Sequence, residues 1–144
     1  WSRRTSARRR VAQGVAPDRV VVSGLPVDPG FDLPVDRLAL RAALGVSGDA
    51  PVVLVTGGMR GLLRGVAAGC EALSALDRPF AAIAICGEAA RLATRLRRLY
   101  GRDGRFRILG RVHDMPRVMA AADLIVSKAG AMTCAEALDW IGGR

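Results

Sequence analysis

The chain has 144 residues, 51% of them hydrophobic and only 4% aromatic, with a formal charge of +9. That length suits one domain whose core must be built from Ala, Val, Leu and Ile. No apolar run is long enough to span a membrane, no signal peptide is visible, and Cys70, Cys86 and Cys134 are too scattered for a disulfide framework or a zinc site.

The chain opens with a short basic helix, TSARRRVAQGV, ending at Gly14. A short strand is expected at Val20–Ser23. Gly24, Pro26, Pro29, Gly30 and Pro34 follow, a density of breakers that marks a linker or domain boundary. DRLALRAALGV has helical spacing and stops at Gly45. From there strands and helices alternate. PVVLVTGG, FAAIAICG, RFRILGRV and DLIVSKAG read as apolar strands. LLRGVAAGCEALSAL, EAARLATRLRRLY, MPRVMAAA and MTCAEALDWI read as the helices between and after them, with Asp114 a candidate cap for the third. The alternation predicts an α/β fold, a Rossmann-like parallel sheet flanked by helices.

In such a sheet, ligands bind beyond the carboxyl ends of the strands. Two strand ends are unusual. In VTGGMRG, Gly57, Gly58 and Gly61 let the backbone approach a ligand, and the next helix would present free N–H groups that suit a diphosphate. The spacing is neither a dinucleotide fingerprint nor a Walker loop. On this stretch alone a plain strand-to-helix turn is the slightly better reading. In SKAGAMTCAEAL, Thr133 and Glu136 have the spacing of a capping box. The rival reading gives Glu136 the two vicinal hydroxyls of a ribose, which a carboxylate can accept together. On spacing alone the capping box is preferred. His113, the sole histidine, is read as a loop residue. The arginines of the fourth helix, Arg91, Arg95, Arg97 and Arg98, are read as a solvated face. The arginine cluster at Arg3–Arg10 has a better claim on an anionic membrane surface.

VVVSGLPVDPGF, VLVTGGMRG, ICG and RILGRVHDMPRVMAAADLIVSKAGAMTCAEAL, in this order, resemble the family 28 glycosyltransferases, which have the GT-B fold of two Rossmann-like domains. The likeness runs from about Val20 to Leu138. SKAGAMTCAEAL is its most specific block, and its Lys128 resembles the diacylglycerol glycosyltransferase branch (monogalactosyldiacylglycerol synthases and processive diacylglycerol glucosyltransferases). The resemblance implies a donor-binding role. Gly57, Gly58 and Gly61 fall on the glycine loop near the donor diphosphate, Val112 where backbone meets uracil, and Gly130, Ala131 and Thr133 on the second phosphate-side turn. Glu136 falls on the ribose-binding Glu, and Lys128 matches the motif without a firm role.

On this resemblance residues 1–30 are expected to be the last helix and strand of an N-terminal domain plus the linker. Residues 31–144 are expected to be a donor domain cut short before the sugar-reading motif. The implied activity is transfer of a hexose from a UDP-sugar to a diacylglycerol-type lipid. The implied partners are the UDP-sugar, the lipid acceptor and an anionic membrane surface, with no nucleic acid. No cofactor or metal is implied, and the catalytic base belongs to the absent domain, so this chain alone is expected to be inactive. The implied location is the cytoplasm, peripheral on the inner face of the membrane. The alternatives are N-acetylglucosaminyl transfer to a polyprenyl-linked peptidoglycan precursor and a non-catalytic nucleotide-binding module.

Overall fold

The structure, a computed structural model, describes residues 3–23, 25–46, 48–57, 63–128 and 130–142. Helix α1 (Arg3–Ala12) ends where expected, because Gly14 takes φ +91°. There the Val15 N–H reaches the Arg10 carbonyl and the Gly14 N–H that of Val11, a closure that a left-handed residue makes possible. The strand expected at Val20–Ser23 does not form. Among the described residues no strand lies beside the three valines, and Val21 is 83% exposed.

The Gly- and Pro-rich stretch forms local structure. Asp28 accepts a hydrogen bond from the Gly30 N–H (2.8 Å), capping a 3-10 turn at Pro29–Asp32 that buries Phe31. Asp36 caps α2 (Arg37–Ala43) through the N–H groups of Leu38 and Ala39, and Gly45 at φ +69° closes it.

Among the described residues four strands follow: β1 (Val52–Thr56), β2 (Ala81–Ile85), β3 (Phe106–Leu109) and β4 (Leu124–Ser127). They form one parallel sheet in the order β3-β2-β1-β4, with Val53 opposite both Ala82 and Leu124. The helices are α3 (Leu63–Ser74), α4 (Ala90–Tyr100), α5 (Met115–Ala121) and α6 (Ala131–Gly142). The α/β, Rossmann-like architecture is therefore the one expected.

Strand alternation divides the core into two layers. Val53, Val55, Ala82 and Ala84 pack with Val66 and Cys70 of α3 and Ala93 and Leu96 of α4. Val52, Leu54, Ile83 and Ile85 pack with Phe31, Leu40 of α2, and Val118 and Met119 of α5. In α3, Gly69 lies so close to β1 that a Cβ there would stand 2.8 Å from Val55 Cγ1. Its absence lets the helix settle onto the sheet.

A polar clamp joins α2 to the junction of α5 and β4. Arg37 donates to the carbonyls of Ala120 and Ala122, and Arg41 to that of Ala121. These are end-of-helix carbonyls that α5 cannot satisfy itself. Both guanidiniums also reach Asp123, at 2.8 and 2.6 Å, and Asp123 accepts the Val52 N–H at 2.8 Å.

Candidate functional site

The order of strands reverses at β1, since β2 lies on one side of it and β4 on the other. At such a reversal the connections leave the sheet on opposite faces, and a crevice opens beyond the strand ends. Thr56 and Ser127, the last residues of β1 and β4, are register partners, so the two turns singled out in the sequence flank that crevice. Gly57, directly after Thr56, is buried. Gly58 and Gly61, with Met59 and Arg60 between them, lie outside the described residues.

On the β4 side the chain turns sharply. The Gly130 N–H bonds the Lys128 carbonyl at 2.7 Å, and Cys134 donates the first helical bond of α6 to the Gly130 carbonyl at 2.9 Å. Ala131, Met132 and Thr133 thus occupy the first turn, ahead of the first donor of the helical ladder. Lys128 is exposed, and its stem lies over Gly130: a Cβ there would be 3.5 Å from Lys128 Cε. A cation and a helix N-terminus therefore meet at one corner of the crevice.

This geometry overturns the capping-box reading. The turn closed by the Gly130 N–H on the Lys128 carbonyl lets α6 start at Ala131, so Gly130 holds the cap position and Thr133 is the third residue of the helix. Glu136 then lies well inside α6, out of position for a capping box. Its carboxylate is half-buried and has no hydrogen bond or ion pair among the described residues. Burial, and secondarily the charge of Asp28, raise its pKa. Asp28 was not a site candidate from sequence; the visible sign was its place in a Val-Asp-Pro-Gly turn, which the fold lays against α6.

The structure does not bring Val112 into this corner. It follows β3, two strands from β1, and packs partly buried against the core layer that contains α5. Across the loops beside it, Arg111 pairs with Glu88 at 2.9 Å. His113 is exposed, and Asp114 caps α5 through the Arg117 N–H at 3.2 Å, as expected. Cys70 and Cys86 are buried in the core. Burial raises both thiols, Cys70 to about 11, which makes them poor nucleophiles. Among the described residues no group of three or more His, Cys, Asp or Glu side chains converges on a metal-sized site.

A parallel sheet wound on both faces, with its strand order reversing at β1, places the chain among the Rossmann-like α/β proteins. The profile of the glycosyltransferase family 28 C-terminal domain matches residues 52–140, and the chain belongs to that family. It is 30% identical over 131 residues to a processive diacylglycerol beta-glucosyltransferase of Bacillus pumilus, covering 90% of this chain and 34% of that protein. It is 34% identical to a probable monogalactosyldiacylglycerol synthase of Glycine max, over 91% of this chain and 26% of that protein. It is 31% identical to monogalactosyldiacylglycerol synthase 1 of Arabidopsis thaliana, over 92% of this chain and 26% of that protein. The chain thus spans about a quarter to a third of the length of these relatives.

Proposed function

We propose that this chain is the donor-binding part of an enzyme that transfers a hexose from a UDP-sugar to a diacylglycerol-type lipid. The observation that carries the reading is the meeting of Gly57, Lys128 and the α6 N-terminus at the strand-order reversal, with Glu136, which has no partner among the described residues, on α6 beyond them. In this reading the glycine turn of Gly57, Gly58 and Gly61, together with Gly130, Ala131, Thr133 and Lys128, surrounds the diphosphate. Glu136 accepts the ribose hydroxyls, and backbone at Val112 meets the uracil. The names of the relatives support a lipid acceptor.

The chemistry assigned to these residues is electrostatic. Charge grows on the departing diphosphate as the bond to the sugar lengthens. N–H groups and a cation already in place stabilise that charge without reorganising. No cofactor or metal enters the proposal, and none of these residues is assigned as the base. A lipid acceptor also calls for work at a bilayer, so the proposed location is the cytoplasmic face of a membrane, peripherally bound. Among the described residues no helix is long and apolar enough to cross one.

The test is a ligand-observed NMR titration of the chain with UDP and ADP, with Glu136→Gln beside the wild type. UDP-selective binding is expected. It should weaken about 10-fold or more in the variant, as the loss of charge-assisted bonds worth about 1.5–3 kcal/mol implies. A folded chain that binds neither nucleotide overturns the proposal.

A further inference from the structure

The outward face of α4 carries Arg91, Arg95 and Arg98, and Arg102 follows in the turn after it; all four are exposed. Within α4 the spacing i, i+4 and i+7 sets Arg91, Arg95 and Arg98 in one line about 10 Å long, opposite Ala93 and Leu96, which face the core, and Arg102 lies in the turn beyond it. Leu99, 54% exposed, flanks the line.

A helix face that is merely solvated mixes signs, because opposite charges four residues apart support the helix and like charges weaken it. This face does the reverse. α4 has no acidic residue in its first turn and no side-chain cap. The acids on either side are engaged elsewhere: Glu88 holds Arg111, and Asp103 holds Arg105. Among the described residues, none of the four arginines has a hydrogen bond or ion pair.

We propose that this arginine line is a docking surface for an anionic phospholipid bilayer. The inference rests on the lipid-acceptor reading above and assigns that reading a membrane-facing side. A row of cations without partners among the described residues, beside one exposed leucine, matches a flat anionic surface, where each arginine adds to the attraction and a single leucine can enter the interface. Nucleic acid is less favoured, since no aromatic residue accompanies the row.

The test is flotation of the chain with vesicles of phosphatidylcholine alone and of phosphatidylcholine and phosphatidylglycerol in equal parts. Two variants lose the same charge: Arg91→Gln/Arg95→Gln/Arg98→Gln/Arg102→Gln, and Arg8→Gln/Arg9→Gln/Arg10→Gln/Arg19→Gln on α1 and the turn after it. The wild type is expected to float only with the anionic vesicles. The α4 variant should bind them about tenfold or more weakly, and the α1 variant within a few-fold of wild type. Circular dichroism confirms folding, and UDP titration of the same variants keeps this result separate from that of the donor site. Equal losses in the two variants would show bulk charge alone and overturn the proposal. So would a larger loss from the α1 variant, or a folded wild type that binds duplex DNA but no vesicle, or neither.

Discussion

Replacing Glu136 by glutamine separates the two roles a carboxylate can have at this position. Burial first, and the charge of Asp28 second, raise its pKa, so the folded chain favours the neutral form more than the unfolded chain does. A raised carboxylate is best tolerated by the fold below its unfolded value of about 4.3. Its contribution worsens as pH rises through the raised folded value, and at neutral pH the charge is a net cost. Glu136 is only partly buried, so solvent screens much of this cost, and Glu136→Gln is expected to equal or slightly exceed wild-type stability at pH 7 in urea unfolding, while nucleotide affinity falls. A capping carboxylate would give the opposite sign, a loss of about 1 kcal/mol. Asp28→Asn keeps an oxygen for the Gly30 N–H and removes the like charge. In that variant the Glu136 carboxyl should titrate at lower pH by carbon-detected NMR. The acid weakening of nucleotide binding should move down with it.

At the scale of the element, Gly69 in α3 sets two effects against each other. Alanine is favoured over glycine inside a helix by about 1 kcal/mol. The added Cβ, however, would stand 2.8 Å from Val55 Cγ1, and β1 is buried along its whole length. Overpacking of this kind costs about 1–3 kcal/mol, so Gly69→Ala should lower stability by roughly 1–2 kcal/mol. The exposed Gly65 of the same helix lacks a buried position, and its alanine variant should gain a few tenths by the same urea measurement. Glycine's helical cost was legible in the sequence, but the reason for Gly69 was not, because Val55 reaches it only once helix and sheet have packed. The four strand–helix units were legible from apolar runs between Gly and Pro breakers. Val20–Ser23 was misread because β-branched residues make a strand only where another strand accepts them. The start of α6 was misread because Thr-x-x-Glu fits a helix interior as well as a capping box. The two turns of the site were visible separately. That they flank one crevice depends on β4 lying beside β1, which sequence order leaves open.

At the scale of the whole molecule, the clamp around Asp123 ties together segments that no local pattern connects. Arg37 reaches a carbonyl 83 residues away, and Asp123 bonds the first residue of β1. The interior strand β1, the α5–β4 junction and α2 are thus held through one carboxylate. Burial alone would raise the Asp123 pKa; the bond from the Val52 N–H and the two guanidiniums outweigh it, and the net shift is downward. A depressed carboxylate contributes its full stability above its unfolded value of about 3.9 and loses it as pH falls through the folded value. Asp123 is more than a third exposed, so solvent screens part of this contribution. Asp123→Asn is expected to cost about 1–2 kcal/mol at pH 7 by urea unfolding, from the loss of charge-assisted bonds. That difference should shrink as pH falls below about 4, since the wild type then loses the same charge. A difference that persists unchanged at pH 2 would assign the cost to packing around the amide, and the clamp would then be steric. Because Arg37 and Arg41 also bond the carbonyls at the end of α5, Arg41→Ala should destabilise the chain even at pH 2, where Asp123→Asn no longer does. The two variants therefore divide the clamp into a part that titrates and a part that does not.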